Sequence, residues 1–429
     1  MVSRRRFLTS VVTATGGMLL GFRLPVFANA TPFQTTETPG SELNAWLLID
    51  KDNTITIRVA QAEMGQGVMT ALPMILADEL EVDWSQVRVE YASVNDHIVE
   101  NGVYQSMATG GSRAVRRSRP FLQQAGAEAR EKLIKAAAET WNVNAEDCFA
   151  DFGKIHHRPT RRSLSYGELA ELAAQVSVAN VTIKQPRDFT LMGLPTPRVD
   201  TPAKVDGSAV FGMDVRVEGM VYAAVKHCPV LGGKLRGYRF NAVRNLPGVI
   251  AAVRLENGVA IVAETYWQAS KAVEALVVQW DIGDENDAFT EKFRKEYAAA
   301  LGDKPDVMIQ ADKETESTLE TSETIIESDY VLPYLAHACM EPLNCTAHVT
   351  NDRVDIWAGV QNPVKVMEAA ISVTGHVRGN IHVHNCFLGG GFGRRSNTDY
   401  VVEALTIAAE VRLPVQMIWS REDDMRSGQ

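Results

Sequence analysis

Apolar and polar residues alternate with a period of two in several short stretches, which reads as half-buried β-strand. "AWLLIDKDNTITIRVA" (45–60) predicts two strands around an Asp52-Asn53 turn, and "QVRVEYASV" (86–94) predicts another. Between them the spacing changes. After Gly65, Gln66 and Gly67, the residues Leu72, Ile75, Leu76 and Leu80 recur at helical intervals, with Pro73 in the first turns of that helix. A second glycine turn, Thr109 to Arg113, opens a long helix running towards Trp141. A stretch rich in proline and glycine (189–215) marks a boundary. Beyond it, "MVYAAVKHCPV", "GVIAAVRLENGVAIVAET" and "ALVVQWD" read as short strands, with the helix "YWQASKAVEA" between them. Residues 283–306 read as a charged, exposed helical insertion, and 328–375 as strand, loop, strand, a Gln-Asn-Pro break and a helix. "IHVHNCF" (381–387) is again a strand, and a helix capped by Asn397 or Thr398 should run to about Pro414.

Between that last strand and helix lies "FLGGGFGRR" (387–395), with four glycines in five positions. Such a run is costly in backbone entropy and marks a close approach of bare backbone to something. Strand, glycine loop and helix commonly present N–H groups to an anion. The usual nucleotide fingerprints fail here: a G-x-G-x-x-G counted from Gly389 ends on Arg394, and one counted from Gly391 ends on Ser396. The competing reading is a tight turn whose arginines face solvent. Two helix openings and this run make three places that could offer unpaired N–H groups. They predict an extended anionic ligand, against the simpler alternative of three ordinary caps.

Composition adds less. The chain has 429 residues, 45% hydrophobic and 22% charged, enough for two or three domains with real cores. A net charge of −10 argues against nucleic-acid binding. Cys148, Cys228, Cys339, Cys345 and Cys386 are scattered and contain no C-x-x-C, so they form neither a disulfide framework nor an iron–sulfur ligand set. His382 and His384 share one strand face but lack a third metal ligand nearby. The first 30 residues matter more. "SRRRFLTS", a modest apolar stretch and "ANA" at 28–30 match a twin-arginine export signal with cleavage after Ala30, an uncleaved anchor being the alternative. Export through that route carries folded proteins and predicts a periplasmic protein with an inserted cofactor.

Seven motifs in order, "AEMGQG", "ATGGSR", "TPAKVDGSAVFGMDV", "HACMEP", "WAGVQNP", "GGGFGRR" and "WSREDDM", span nearly the whole chain from about Trp46. Together they resemble the molybdopterin-binding subunit of the xanthine dehydrogenase and aldehyde oxidase family, in the branch of the isoquinoline 1-oxidoreductase beta subunit and periplasmic aldehyde dehydrogenases. That branch carries the glutamine-glycine motif near the N-terminus, as here. The resemblance implies an α+β molybdopterin-binding fold, incomplete, with an α/β hammerhead module. Its parts would be a transposed part of the second molybdopterin-binding domain (40–190), the hammerhead-like module (200–285) and the start of the first domain (320–429). It implies hydroxylation next to a heterocyclic nitrogen, or oxidation of an aldehyde to an acid, with water as oxygen source. The implied cofactor is molybdopterin cytosine dinucleotide with molybdenum. The implied partner is a subunit carrying two 2Fe-2S clusters, with a cytochrome c as candidate electron acceptor.

Residue by residue, the resemblance gives Gly389, Gly390, Gly391, Phe392 and Gly393 the approach to molybdenum and pterin, with Arg394 behind them. It gives Gln361 the place beside a molybdenum oxo group, the alternative being a helix-start glutamine without catalytic role. Gln66, Gly67, Thr109, Gly110, Gly111, Ser112 and Arg113 would hold the pterin dinucleotide and its phosphates. Two departures stand out. Arg394, Arg395 and Ser396 replace the Gly-Lys-Glu of xanthine dehydrogenases, so a purine substrate is not expected. The family's general base is a glutamate near the far C-terminus, and no residue up to Gln429 matches it. The expectation is therefore a fragment that needs the rest of the molybdenum subunit, or else a truncated, non-catalytic cofactor-binding remnant. Glu63, Glu341 and Glu422 are not promoted to that role, and Glu341 is expected to be a structural, hydrogen-bonding carboxylate.

Overall fold

The computed structural model describes residues 40–427, apart from 180, 231, 284–288, 305, 308, 310 and 311. The twin-arginine segment lies outside the described residues. The strands β1 (Ser41–Asn44), β2 (Leu47–Ile49), β3 (Ile55–Val59) and β4 (Val87–Tyr91) form one sheet in that order, with β3 and β4 parallel. The turn between β2 and β3 places Asn53 at φ 69°, a left-handed conformation that asparagine tolerates. The helices Val68–Leu80 and Ala114–Trp141 pack on each other, the first also against β3 and the second against β1. Leu72, Leu76, Leu80, Leu122 and Leu133 are buried in that core. Pro73 lies deeper in its helix than its first turn, where the N–H it lacks leaves the Met69 carbonyl without its usual donor. Three short strands, β5 (Cys148–Asp151), β6 (Lys154–His157) and β7 (Ser163–Ser165), complete this part.

The following strands are β8 (Val221–His227), β9 (Lys234–Tyr238), β10 (Val249–Arg254), β11 (Gly258–Ala263) and β12 (Val278–Asp281). The last are β13 (Asn344–Val349), β14 (Val354–Ala358), β15 (Ile381–Asn385) and β16 (Val415–Ile418). Seven of these make one mixed sheet in the order β10-β11-β8-β16-β13-β14-β15, while β9 and β12 pair separately. The joint is the parallel pairing of Val415–Ile418 with Val221–Ala224. Segments 221–263 and 344–418 thus share one sheet. Every residue of β11, β14 and β16 is buried, as strands covered on both faces are, with Asp355 in β14 and Gln416 in β16 the polar interruptions. The helices Pro363–Thr374 and Asp399–Val411 pack on each other, the first also on β15 and the second on β13 and β16.

The α+β class is as expected. Alternation did not reveal β1 or β9, whose sequences "SELN" and "KLRGY" carry few apolar residues. The order strand, loop, strand, Gln-Asn-Pro break and helix expected over 328–375 is met by β13, β14 and the helix Pro363–Thr374, while residues 324–339 form neither helix nor strand. Tyr330, Leu332 and Leu335 there are more than 80% exposed, so the apolar pattern has no neighbouring strand to pair with among the described residues. The expected charged helix spans Thr290–Ala300, with no buried residue. Among the described residues, no helix is long and apolar enough to cross a membrane.

Candidate cofactor site

The glycine run leaves β15 at Asn385 and meets two other turns from the first sheet. Gln361, which ends the loop after β14, is the junction. Its N–H donates to the Arg395 carbonyl (2.9 Å), and its carbonyl accepts from Thr109 N (2.8 Å). Its side chain is buried and bonded at both ends: Nε2 donates to the Thr109 carbonyl (2.9 Å) and Oε1 accepts from Gly393 N (3.0 Å). Thr109 passes the connection on, since its Oγ1 accepts from Ala62 N at 2.8 Å. Leu388 N in turn donates to the Glu63 carbonyl (3.2 Å). Segments near 63 and 109 therefore meet those near 361 and 391, some 250 residues further along the chain, in one place. One amide hydrogen of Gln361 remains for a further acceptor.

The glycines are explained first by the protein's own packing. A Cβ on Gly389 would collide with Glu341 Cβ, and one on Gly391 would lie 2.6 Å from Gln361 Oε1 and 2.7 Å from Met64 Sδ. Gly390, at φ 101°, needs glycine for its backbone. Phe392 follows at φ 53° and is 72% exposed, at the tip of the loop. Gly393 is exposed, with nothing within 4 Å of a Cβ built on it.

The two arginines behind the run do not face solvent. Arg394 is 1% exposed, donates to both carboxylate oxygens of Asp399 (2.9 and 2.6 Å) and lies over the Trp419 ring. Its guanidinium is thus spent within the fold rather than aimed at the loop. Arg395, also 1% exposed, donates to the Gly359 carbonyl, the Glu341 carbonyl and Glu341 Oε2 (3.0 Å). Burial works against charge on both guanidiniums, but the carboxylates of Asp399 and Glu341 outweigh it and hold them protonated. Glu341 also accepts from Gly389 N, Met213 N and Asn344 Nδ2, which is the structural role expected of it. Removing one partner of such a buried pair costs about 3–5 kcal/mol, because the other charge is left stranded.

The two helix openings differ from one another. At 109–113, Gly111, Ser112 and Arg113 are exposed, and the N–H groups of Gly110, Gly111 and Ser112 reach no protein acceptor among the described residues. A Cβ on Gly110 would meet nothing within 4 Å. Exposed Arg116 and Arg117 lie on the next turn of the helix. This opening fits an external phosphate. At 65–67 two of the three loop N–H groups, those of Gly65 and Gly67, are already taken. The fully buried carboxylate of Glu63 accepts from Gly65 N (2.8 Å) and Gly67 N (3.1 Å) through Oε1, and from Met69 N (3.1 Å) through Oε2. The amide of Gln66 closes back on its own loop, donating to the Ala62 carbonyl and accepting from Met64 N, both at 2.8 Å. Reading this opening as a free anion site therefore fails for the Gly67 N–H. The acidic residue two positions before Gly65 was the sequence signal for it. His384, one of the possible metal pair, is bonded to Asp355 (2.8 Å) and stacked on Trp357.

Residues 14–218 match the family described as "Molybdopterin cofactor-binding domain", and residues 301–429 match a second family of the same description. The isoquinoline 1-oxidoreductase subunit beta of Brevundimonas diminuta is 30% identical, over 99% of this chain and 60% of that one. The membrane-bound aldehyde dehydrogenase [pyrroloquinoline-quinone] of Gluconacetobacter polyoxogenes is 28% identical, over 99% of this chain and 56% of its own. The chain thus spans less than two thirds of the length of either relative. Among solved structures, the aldehyde oxidoreductase of Desulfovibrio gigas aligns with 60% of the chain at a TM-score of 0.43 and 14% identity. With two molybdopterin cofactor-binding matches spanning most of its length and a relative 30% identical over 99% of it, the chain belongs to the molybdopterin-binding subunits of the xanthine dehydrogenase and aldehyde oxidase family.

Proposed function

We propose that this chain is the molybdenum-cofactor-binding portion of a periplasmic oxidoreductase that oxidises aldehydes or aromatic N-heterocycles. The observation that carries the reading is the junction at Gln361, which gathers the glycine run and the 109–113 opening into one site. The cofactor in its cytosine dinucleotide form would supply two-electron oxidation with water as the oxygen source. The chain's own residues would bind and orient. The free N–H groups at 110–112 and Arg113 suit a phosphate, and the second amide hydrogen of Gln361 suits an oxygen ligand. The exposed Phe392 ring suits the flat face of an aromatic substrate. Electrons would leave to a partner subunit carrying two 2Fe-2S clusters, and a cytochrome c is a candidate acceptor.

The test is the cofactor itself. The chain is co-expressed with an iron–sulfur partner in a host that makes molybdopterin dinucleotides, then purified. Elemental analysis should find about one molybdenum per chain, and the released pterin should carry a cytosine nucleotide. Pyrroloquinoline quinone in place of the pterin, or no molybdenum at all, would overturn the proposal.

A further inference from the structure

Glu63 is a fully buried carboxylate in the middle of this site. Its bonds to Gly65 N, Gly67 N and Met69 N put a negative charge where an anion would otherwise sit at the N-terminus of the helix Val68–Leu80. Gly67, the residue before that helix, caps it with no side chain of its own. The charge is balanced from outside the loop. Arg198 Nη2 lies 3.1 Å from Glu63 Oε1, and Lys204 Nζ lies 3.8 Å from it. Both cations also hold Asp200, at 2.6 and 2.5 Å. Arg198 Nη1 donates to the Gly65 carbonyl (2.8 Å), and Val199 N donates to Thr70 Oγ1 (3.0 Å). Lys204 reaches the other way, over the Phe387 ring at the root of the glycine run. Glu63 and its two cations thus link the 63–70 loop, the 198–204 linker and the start of the glycine run. Met64, next to Glu63, lies where a Cβ on Gly391 would touch it.

We infer that Glu63 is a positioning residue of the site: an internal anion that holds the Met64–Gly67 loop in register with the glycine run and takes up the N–H groups of Gly65, Gly67 and Met69. Of the two helix openings, the one at 109–113 keeps three consecutive N–H groups for a phosphate, while at 65–67 Glu63 has taken two of the three. A free helix N-terminus beside the glycine run would attract any anion. A covalently attached carboxylate removes that competition and fixes the loop at the same time.

This inference rests on the proposed function for its effect on cofactor, but not for its geometry, and the test separates the two. In the full-length chain, Glu63→Gln keeps the side-chain volume and removes the charge facing Arg198 and Lys204. Amide hydrogen exchange over 64–69 should speed up by about tenfold or more, the loss expected for a charge-assisted bond. Bound molybdenum should fall well below that of the parent. In Glu63→Ala, added formate should refill the vacated carboxylate position and slow that exchange again. Exchange at the parent rate in Glu63→Gln overturns the inference, since side-chain volume alone would then suffice. Faster exchange with full molybdenum content also overturns the positioning role. Should Glu63→Ala be insoluble, the Gln variant decides by itself. A parent chain without molybdenum would sink the proposed function, while the exchange and formate measurements would still decide the role of Glu63.

Discussion

Single residues separate glycines that serve the fold from glycines that face outward. Gly389 has Glu341 against it, so Gly389→Ala forces overpacking in a site tied together by buried charge, costing about 1–3 kcal/mol. Gly110 has open space where its Cβ would be, so Gly110→Ala should leave stability within about 0.5 kcal/mol of the parent. Its methyl group would instead project towards whatever ligand occupies the opening. Urea unfolding and molybdenum analysis on both variants distinguish the cases: Gly389→Ala should lose stability and cofactor together, Gly110→Ala cofactor alone. A stable Gly110→Ala chain with full molybdenum content would remove that glycine from the cofactor site.

Elements are held to one another by buried charge, and here pH acts. His227 at the end of β8 lies between the helix Asp399–Val411 and the helix Arg421–Arg426. Its Nε2 is 2.8 Å from Glu403 Oε1, and its Nδ1 is 3.6 Å from Asp423 Oδ1. Burial pushes this imidazole towards neutrality, but Asp423 and Glu403 outweigh it and raise its pKa to about 9. The Asp423 contact is an ion pair longer than a hydrogen bond, so Glu403 is the firmer hold. Glu403 also accepts from Trp419 Nε1 (2.8 Å), which ties the segment after β16 into the same cluster. A raised histidine pKa contributes stability that is complete below the unfolded value, about 6.5. That contribution disappears as pH rises through about 9. The thermal midpoint should therefore fall between pH 6.5 and 9 in the parent, and His227→Gln should flatten that part of the profile. An unchanged slope in the variant would assign the pH dependence to another group.

In the whole molecule one sheet joins the segment 221–263 to the second cofactor-binding region, and the two cofactor-binding regions meet at Gln361 and Thr109. The apolar stretch at 324–339 lies open to solvent. Where the protein works is a question for the first residues. We expect Arg4→Lys with Arg5→Lys to keep the chain in the cytoplasm, because the exporter reads paired arginines. Cell fractionation with an immunoblot checks this, and unchanged periplasmic accumulation would discard the export signal.

Local sequence determined the elements that carry a strong period. These include the strands around Asp52-Asn53, the strand before the glycine run, the helix "YWQASKAVEA" and the long helix after Thr109. Each of these signals is short-range, set by neighbours within a few residues. Motif order also determined the family, and the "MEP" glutamate was legible as structural. Only the tertiary structure decided which N–H groups were free. The openings at 65–67 and 109–113 look alike as sequence, both small residues before a helix. They differ because Glu63 folds under one of them, held there by Arg198 and Lys204 from more than a hundred residues away. The same holds for Arg394 and Arg395. In sequence they are two cations after a turn; in the fold Arg394 is buried against the nearby Asp399, and Arg395 against Glu341, which long-range packing brings to it. Hydrogen-bond satisfaction depends on what long-range packing brings near each group, and that is absent from any local pattern.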